Sequence, residues 1–172
     1  MVIGAGMAGV LSAVKLREAG FTDITVYEKA DRLGGTWREN TYPGIACDVP
    51  SHLYTYTFAP NPEWSHAFAP GPEILAYFQS VARRHGIDEL IRYGREVRRM
   101  EYVGNRWRIT TSEERDEADV VIAATGVLHH PRYPDIEGLD RFAGRGDRKR
   151  GGAGRGGRPQ PRSGEGDGSP QR

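Results

Sequence analysis

Three glycines close to the N-terminus constrain the fold of this chain more than any other feature. They form the pattern Gly-x-Gly-x-x-Gly, residues 4–9, directly after the apolar pair Val2 and Ile3. A second apolar segment, residues 24–27, ends in Glu28, which lies 19 positions after Gly9. Because a strand–helix–strand unit that binds a dinucleotide needs this order and this distance, the sequence predicts such a unit here.

Each member of the pattern has a physical role. Gly4 is expected to allow a tight turn, Gly6 to let the backbone approach a pyrophosphate, and Gly9 to let the helix pack close to its strand. The helix N-terminus offers free N–H groups and a partial positive charge to the pyrophosphate. Glu28 is expected to accept hydrogen bonds from ribose hydroxyls. A glycine-rich turn with a solvent-exposed Glu28 is the plainer alternative.

Charge and cysteine content limit the class of protein. The net charge of +1 hides an asymmetry, because residues 1–144 carry 16 basic and 20 acidic side chains whereas residues 145–172 carry 8 and 3. The single Cys47 excludes an internal disulfide and is typical of a reducing compartment. No apolar run reaches the roughly 18 residues of a membrane span, and no secretory signal precedes the glycines. The expectation is a cytoplasmic protein without a membrane partner.

Periodicity predicts an α/β fold for residues 1–144. Helices are expected over residues 8–19 and 72–86, and an antiparallel pair of strands over 97–102 and 106–111, followed by a charged turn over 112–117. The apolar residues 120–124 are expected to form a central parallel strand. Residues 29–71 show little periodicity, and such a long irregular stretch is typical of a functional segment.

The composition changes after Gly144. The last 28 residues hold nine Gly, three Pro and no aromatic side chain, so a disordered tail over 145–172 is predicted. Two Arg-Gly-Gly units, residues 150–152 and 155–157, resemble segments that bind RNA. That alternative is weak because no aromatic side chain is available for stacking. The adjacent His129 and His130 have no third ligand at metal spacing, so no metal site is expected.

Further motifs follow the glycine pattern and Glu28 in a fixed order. They are Gly34-Gly35-Thr36-Trp37, Asn40-x-Tyr42-Pro43-Gly44-x-x-Cys47-Asp48, Ser51-x-x-Tyr54-x-Tyr56-x-Phe58, Pro72-Glu73-Ile74-Leu75, Ala124-Thr125-Gly126 and Pro131-x-x-Pro134-x-x-x-Gly138-Leu139-x-x-Phe142-x-Gly144. This series resembles the N-terminal FAD-binding part of the class B flavoprotein monooxygenases, and within them the Baeyer–Villiger monooxygenases. The resemblance implies a Rossmann-like FAD-binding domain in which a parallel sheet with helices carries a small β-meander.

The resemblance also implies which residues bind cofactors. The glycine loop would hold the FAD pyrophosphate, Glu28 the adenosine ribose, and the backbone of Val97 the adenine. Residues 36–39 would run beside the flavin, with Trp37 packed near its ring, and residues 124–126 would approach FAD with their backbone. Asp48 and Tyr54 would contact the flavin end, and residues 46–48 would also meet the nicotinamide of NADPH. The whole set is Gly4, Gly6, Met7, Ala8, Gly9, Glu28, Lys29, Gly35, Thr36, Trp37, Arg38, Glu39, Ala46, Cys47, Asp48, Tyr54, Val97, Ala124, Thr125 and Gly126.

Structural roles remain open for several of these residues. Trp37 is also compatible with core packing, Asp48 with a loop cap, Tyr54 with an ordinary strand position and Cys47 with a small buried filler. No catalytic residue is assigned.

The activity that the resemblance implies is an oxygenation. NADPH would reduce FAD, and the reduced flavin would use dioxygen to insert one oxygen atom into a ketone or onto the nitrogen or sulfur of an amine or sulfide. The protein would bind and orient the reactants and exclude water. A flavin reductase without oxygenation is the alternative.

The chain departs from the family pattern after Gly144. The Baeyer–Villiger fingerprint runs Phe-x-Gly-x-x-x-His and on to a Trp, whereas here Arg148 occupies the His position and no Trp follows. We therefore expect an incomplete domain, an N-terminal fragment that is inactive by itself. The tail is interpreted as an out-of-frame sequence, which translation of the coding DNA in its other two frames tests.

Overall fold

The structure is a computed structural model, and it describes residues 1–127, 135–138 and 141. The predicted tail over 145–172, His129 and His130, the Arg-Gly-Gly units and most of the last motif lie outside these residues. The helices and strands are, in chain order, β1 (Val2–Ile3), α1 (Met7–Glu18), β2 (Val26–Tyr27), α2 (Thr36–Glu39), α3 (Gly71–Arg84), β3 (Ile91–Arg92), β4 (Val97–Val103), β5 (Arg106–Thr111), β6 (Arg115–Ala118) and β7 (Ile122–Ala123). Single 3₁₀ turns occur at Ser51–Leu53 and Asp88–Leu90.

A parallel sheet with the strand order β3-β2-β1-β7 forms the centre of the fold. Val2 pairs with Val26 on one side and with Ile122 on the other, and Val26 pairs with Ile91. The parallel direction of β1 and β2, joined by α1, confirms the predicted strand–helix–strand unit. The strand β3 was not predicted, because two residues carry too little periodicity to be recognised.

Helix α3 is amphipathic and buries one face in the core. Its residues Ile74, Phe78, Val81 and Ala82 recur at helical spacing and are at most 1% exposed. The helices α1 and α3 confirm the predicted helices to within two residues at each end. On α1, Val10 and Val14 are buried whereas Leu11 is 37% exposed.

The strands β4, β5 and β6 form a separate three-stranded antiparallel sheet, which we call the meander. The predicted charged turn over 112–117 is wrong for its second half, because Arg115–Ala118 is a strand that pairs with β5. The turn itself is tighter, with the Thr111 hydroxyl accepting a hydrogen bond from the Glu114 backbone at 2.9 Å. The more exposed positions Arg115 and Glu117 alternate with the less exposed Asp116 and Ala118, as expected for a strand with one face towards solvent.

The expected central position of residues 120–124 is also wrong within the described part of the chain. Only Ile122–Ala123 is a strand there, and among the described strands β7 lies at one end of the sheet, paired with β1 alone. Val120 is 62% exposed. An apolar run identifies a strand that is suited to burial, but the sequence does not show whether another strand covers its second side.

Candidate nucleotide-binding cleft

A cleft of about 530 Å³ opens beside the carboxyl ends of β1, β2 and β7. Ligands bind at this edge of open parallel sheets because the loops that follow neighbouring strands meet there. Its walls are formed by Ile3, Gly4, Gly6, Met7, Ala8, Tyr27, Glu28, Lys29, Gly34, Gly35, Thr36, Trp37, Arg38, Glu39, Tyr54, Arg95, Glu96, Val97, Ala124, Thr125, Gly126 and Val127.

The glycine loop forms the floor of this cleft. Gly4 has a φ of +100°, and a Cβ atom there would lie 2.6 Å from the carbonyl oxygen of Ala124. A Cβ atom at Gly9 would lie 1.8 Å from the carbonyl oxygen of Gly4. Gly9 therefore packs behind the loop and does not line the cleft. Helix α1 begins directly after Gly6. Within the described part of the chain no side chain caps its first turn, so the N–H groups of this turn can bind an anion.

Glu28 lies directly against the glycine loop. Its side chain is buried, and Oε2 accepts a hydrogen bond from the backbone N–H of Ala5 at 2.8 Å. The other oxygen, Oε1, accepts one from the N–H of Ala30 at 2.9 Å. The acid that ends β2 is thus held at the edge of the turn after β1, the geometry that a dinucleotide ribose needs.

The glycine pair Gly34-Gly35 lies against the glycine loop and leads into α2. Gly35 has a φ of +50°, and a Cβ atom there would lie 3.0 Å from the Cα atom of Gly6. The chain then turns into α2, whose four residues all line the cleft. This close approach of Gly35 to Gly6 explains why glycine is needed shortly before Trp37.

Two aromatic side chains form one wall of the cleft. The rings of Trp37 and Tyr54 meet edge to face with their centroids 5.6 Å apart, and Trp37 Nε1 donates a hydrogen bond to the Tyr54 hydroxyl at 3.2 Å. Burial raises the pKa of Tyr54, so its phenol stays neutral at physiological pH. The Tyr54 ring also contacts Phe78 in the core, which fixes the position of the wall. Such a wall is suited to a flat aromatic ligand.

Most of the site residues proposed from sequence meet in this cleft, and four do not. The exceptions are Gly9 and residues 46–48. Cys47 is buried, and its N–H donates to the carbonyl of Ala69 at 2.9 Å. Ala46 and Asp48 are exposed outside the cleft. The involvement of residues 46–48 in binding nicotinamide remains a prediction, as do the cofactor contacts of the other residues.

Sequence reasoning missed Arg95 and Glu96, which line the cleft next to Val97. They follow β3, and the carboxyl end of this third parallel strand points to the same edge as β1 and β2. Recognition of Ile91–Arg92 as a parallel strand would have been the signal for them.

Within the described residues, no helix is long and apolar enough to span a membrane. The same ranges contain no group of three or more His, Cys, Asp or Glu side chains that could hold a metal ion.

The fold and the cleft define a Rossmann-like dinucleotide-binding protein. In agreement, residues 2–70 match the family model described as an NAD(P)-binding Rossmann-like domain. A Baeyer-Villiger monooxygenase of Streptomyces coelicolor is 50% identical over 146 residues, which are 84% of this chain and 28% of the relative. An uncharacterized monooxygenase of Mycobacterium tuberculosis is 51% identical over 144 residues, covering 83% of this chain and 29% of the relative.

Solved structures show the same similarity to monooxygenases. The OTEMO complex with FAD and NADP superposes with a TM-score of 0.73 at 36% identity, covering 82% of this chain and 28% of that one. Cyclohexanone monooxygenase from Rhodococcus sp. Phi1 bound to NADP⁺ gives the same TM-score, identity and shares. By sequence and by fold, the chain is similar to the N-terminal part of Baeyer–Villiger-type flavoprotein monooxygenases. It spans little more than a quarter of the length of these relatives.

Proposed function

We propose that this chain binds FAD in the cleft and forms the adenosine side and part of the flavin side of the cofactor site of an NADPH-using monooxygenase. The observation that carries the proposal is the junction of the two motifs, in which the N–H of Ala5 in the glycine loop donates to the Glu28 carboxylate at 2.8 Å. One continuous cleft then runs from this junction to the aromatic wall.

The residues of the cleft fit the chemical groups of FAD in order. The uncapped first turn of α1 offers N–H groups to the pyrophosphate, and Gly6 leaves room for it to approach. Glu28 offers a carboxylate to the ribose of the adenosine. Trp37 and Tyr54 offer a rigid, largely apolar surface to the isoalloxazine ring. The volume of about 530 Å³ is within the usual range for small-molecule sites.

When bound, FAD supplies the redox chemistry by accepting reducing equivalents from NADPH and activating dioxygen to oxygenate a small ketone, amine or sulfide. The residues of this chain bind and orient the cofactor, and the aromatic wall keeps water from one side of the cleft. The names of the relatives, which are monooxygenases, favour oxygenation over the reductase alternative. We also propose that the protein is located in the cytoplasm.

Binding is tested with the purified 172-residue chain and FAD, followed by absorbance and flavin fluorescence. We expect saturable binding that changes the flavin spectrum. The Gly6→Ala variant is compared with the parent chain. A Cβ atom at this position meets nothing closer than 3.6 Å among the described residues, so the substitution leaves the fold intact. It would nevertheless obstruct the pyrophosphate and weaken FAD binding by about tenfold or more, about 1.4 kcal/mol.

Arg108→Met, on the exposed side of the meander, is the matched control and should bind FAD as the parent chain does. A chain that leaves the spectrum of added FAD unchanged contradicts the proposal.

Oxygenation is tested in a chimera, with residues 1–127 replacing the matching segment of the Streptomyces coelicolor relative. We expect NADPH-dependent incorporation of oxygen from labelled dioxygen into a ketone. NADPH oxidation without incorporation, in a chimera that retains FAD, would favour the reductase alternative.

A further inference from the structure

The guanidinium group of Arg38 lies between two carboxylates at the edge of the cleft. Its Nη1 donates to Glu28 Oε1 at 3.3 Å and to the carbonyl of Arg32 at 2.5 Å. Its Nη2 donates to the carboxylate of Glu39. The side chains of Arg38 and Glu28 are 7% and 6% exposed, so both charges are largely shielded from solvent. This arrangement joins α2 to the end of β2 through a single cation.

The hydrogen bonds of Glu28 distinguish its two oxygens. A carboxylate offers about four acceptor positions, two on each oxygen. On Oε1 both positions are used, by the N–H of Ala30 and by Arg38. Among the residues that the structure describes, only the N–H of Ala5 uses a position on Oε2. The acceptor position that remains is therefore on Oε2, the oxygen next to the glycine loop.

We infer that Arg38 is a positioning residue, which saturates Oε1 of Glu28 and so leaves Oε2 as the acceptor for a ribose hydroxyl. This inference rests on the proposed function, since the ribose belongs to the nucleotide bound in the cleft. Arg38 acts through Glu28 and does not itself bind the ribose.

Electrostatics supports this role. The carboxylates of Glu28 and Glu39 both contact one guanidinium group, and without it they would repel each other in a poorly solvated place. Glu28 would then rotate to separate the charges, and its bonds to Ala5 and Ala30 would change. Lysine is not equivalent, because a compact ammonium group lacks the planar fork that reaches several acceptors at once.

The test uses the full chain and two measurements on the Arg38→Met variant. The first is the position of the Ala5 and Ala30 amide signals in ¹H–¹⁵N spectra, which reports on the Glu28 carboxylate without any ligand. The second is the Kd for ADP, which carries the same ribose and pyrophosphate as the adenosine half of FAD. We expect both amide signals to move and the affinity for ADP to fall at least tenfold.

A double-mutant cycle separates positioning from an independent contact. Glu28→Gln should weaken ADP binding, and the double variant Glu28→Gln with Arg38→Met should bind no more weakly than Glu28→Gln alone. If the double variant instead weakened ADP binding by the product of the two single effects, the inference would be overturned, because Arg38 would then act independently of Glu28.

The controls remove the remaining ambiguity. Arg38→Lys, which keeps the charge, is the second variant in case Arg38→Met does not fold, and it should shift the same two amides. Arg108→Met should change neither the amides nor the Kd. Unmoved Ala5 and Ala30 signals overturn the positioning role, even if the parent chain binds no ADP. Absence of ADP binding by the parent chain contradicts the proposed function instead.

Discussion

The parallel sheet and the meander are stabilised in different ways. The parallel sheet packs against α1 in the main core, where Val2 and Val26 of the sheet and Phe78 of α3 are at most 1% exposed. In the meander, every residue of β4 after Val97 is exposed, and ion pairs such as Arg99 with Glu101 and Arg108 with Glu117 lie on its surface. Because exposed ion pairs contribute little, burial stabilises the first region and attachment to that region stabilises the second.

A small polar cluster provides much of this attachment. The buried Tyr27, at the end of β2, donates its hydroxyl to Asp116 in β6 at 2.8 Å. Arg92, at the end of β3, donates to the same hydroxyl at 3.1 Å and to Glu114 at 3.2 Å. Burial and the hydrogen bond to Asp116 raise the pKa of Tyr27 well above its ordinary range. Since Glu96 and Val97 of the adjoining segment line the cleft, the cluster also fixes one wall of the binding site.

The strongest way to disrupt the parallel sheet is at the packing of α1 against β1. In Gly9→Ala the added Cβ atom would lie 1.8 Å from a backbone oxygen that cannot move without opening the turn. We expect this variant not to fold, as judged by circular dichroism and by the loss of a cooperative urea transition. A folded Gly9→Ala protein of unchanged stability would contradict the described packing. Gly6→Ala, which has room for its Cβ atom, is the control.

A pair of truncations compares the two regions directly. Phe78→Ala, in the core, should lower the free energy of unfolding by about 3–5 kcal/mol. Tyr102→Ala, in the meander, should lower it by about 1 kcal/mol or less, because Tyr102 is 57% exposed and its ring packs on Trp107 at the surface. Urea titration of both variants measures the difference. Equal losses would mean that the meander has a core of its own.

Tyr27→Phe tests the attachment of the meander. Removal of the hydroxyl should lower the free energy of unfolding by about 1.5 kcal/mol, because Asp116 and Arg92 lose a partner. Hydrogen exchange should accelerate in β6 and remain unchanged in β1. Uniform acceleration in both strands would show that the two sheets unfold as one unit.

The smallest expected effect is a change of thermal stability with pH, which we attribute to Glu73 in α3. Hydrogen bonds from the side chain and backbone of Ser65 lower the pKa of Glu73 below its ordinary value of 4.5. The resulting stabilisation is present above that value and is lost as the pH falls through the lowered pKa of the folded state. Ser65→Ala removes the side-chain hydrogen bond, so its Tm should lie slightly below that of the parent chain at neutral pH.

The two Tm values should converge in acid, which thermal unfolding at pH values from about 3 to 7 measures. A constant difference across this range would assign the effect of Ser65 to something other than Glu73.

The sequence predicted what depends on local pattern. Helix α3 and strand β5 were recognisable because their periodicity is strong, and the glycine loop could be paired with Glu28 because the spacing of this unit is fixed by its geometry. By contrast, the strand β6 was hidden by its charges, and the position of β7 in the sheet depends on neighbours that are distant in the chain.

Within the site, the limits of prediction have the same origin. The motifs placed Arg38 beside a cofactor but did not reveal its contact with Glu28, ten residues away, which exists only because Gly35 brings α2 onto the glycine loop. Residues 46–48 form a recognisable motif, yet they lie outside the cleft in the described part of the chain. A sequence motif identifies residues that act together, but it does not show which of them line the same cleft.

The central claim is that the glycine loop and Glu28 together bind the adenosine half of FAD. A crystal structure of the chain grown with FAD tests it most directly. The account predicts a ribose hydroxyl within about 3 Å of Glu28 Oε2 and the pyrophosphate at the first turn of α1. Density for FAD at any other place, with the Glu28 carboxylate free of the ribose, would contradict it.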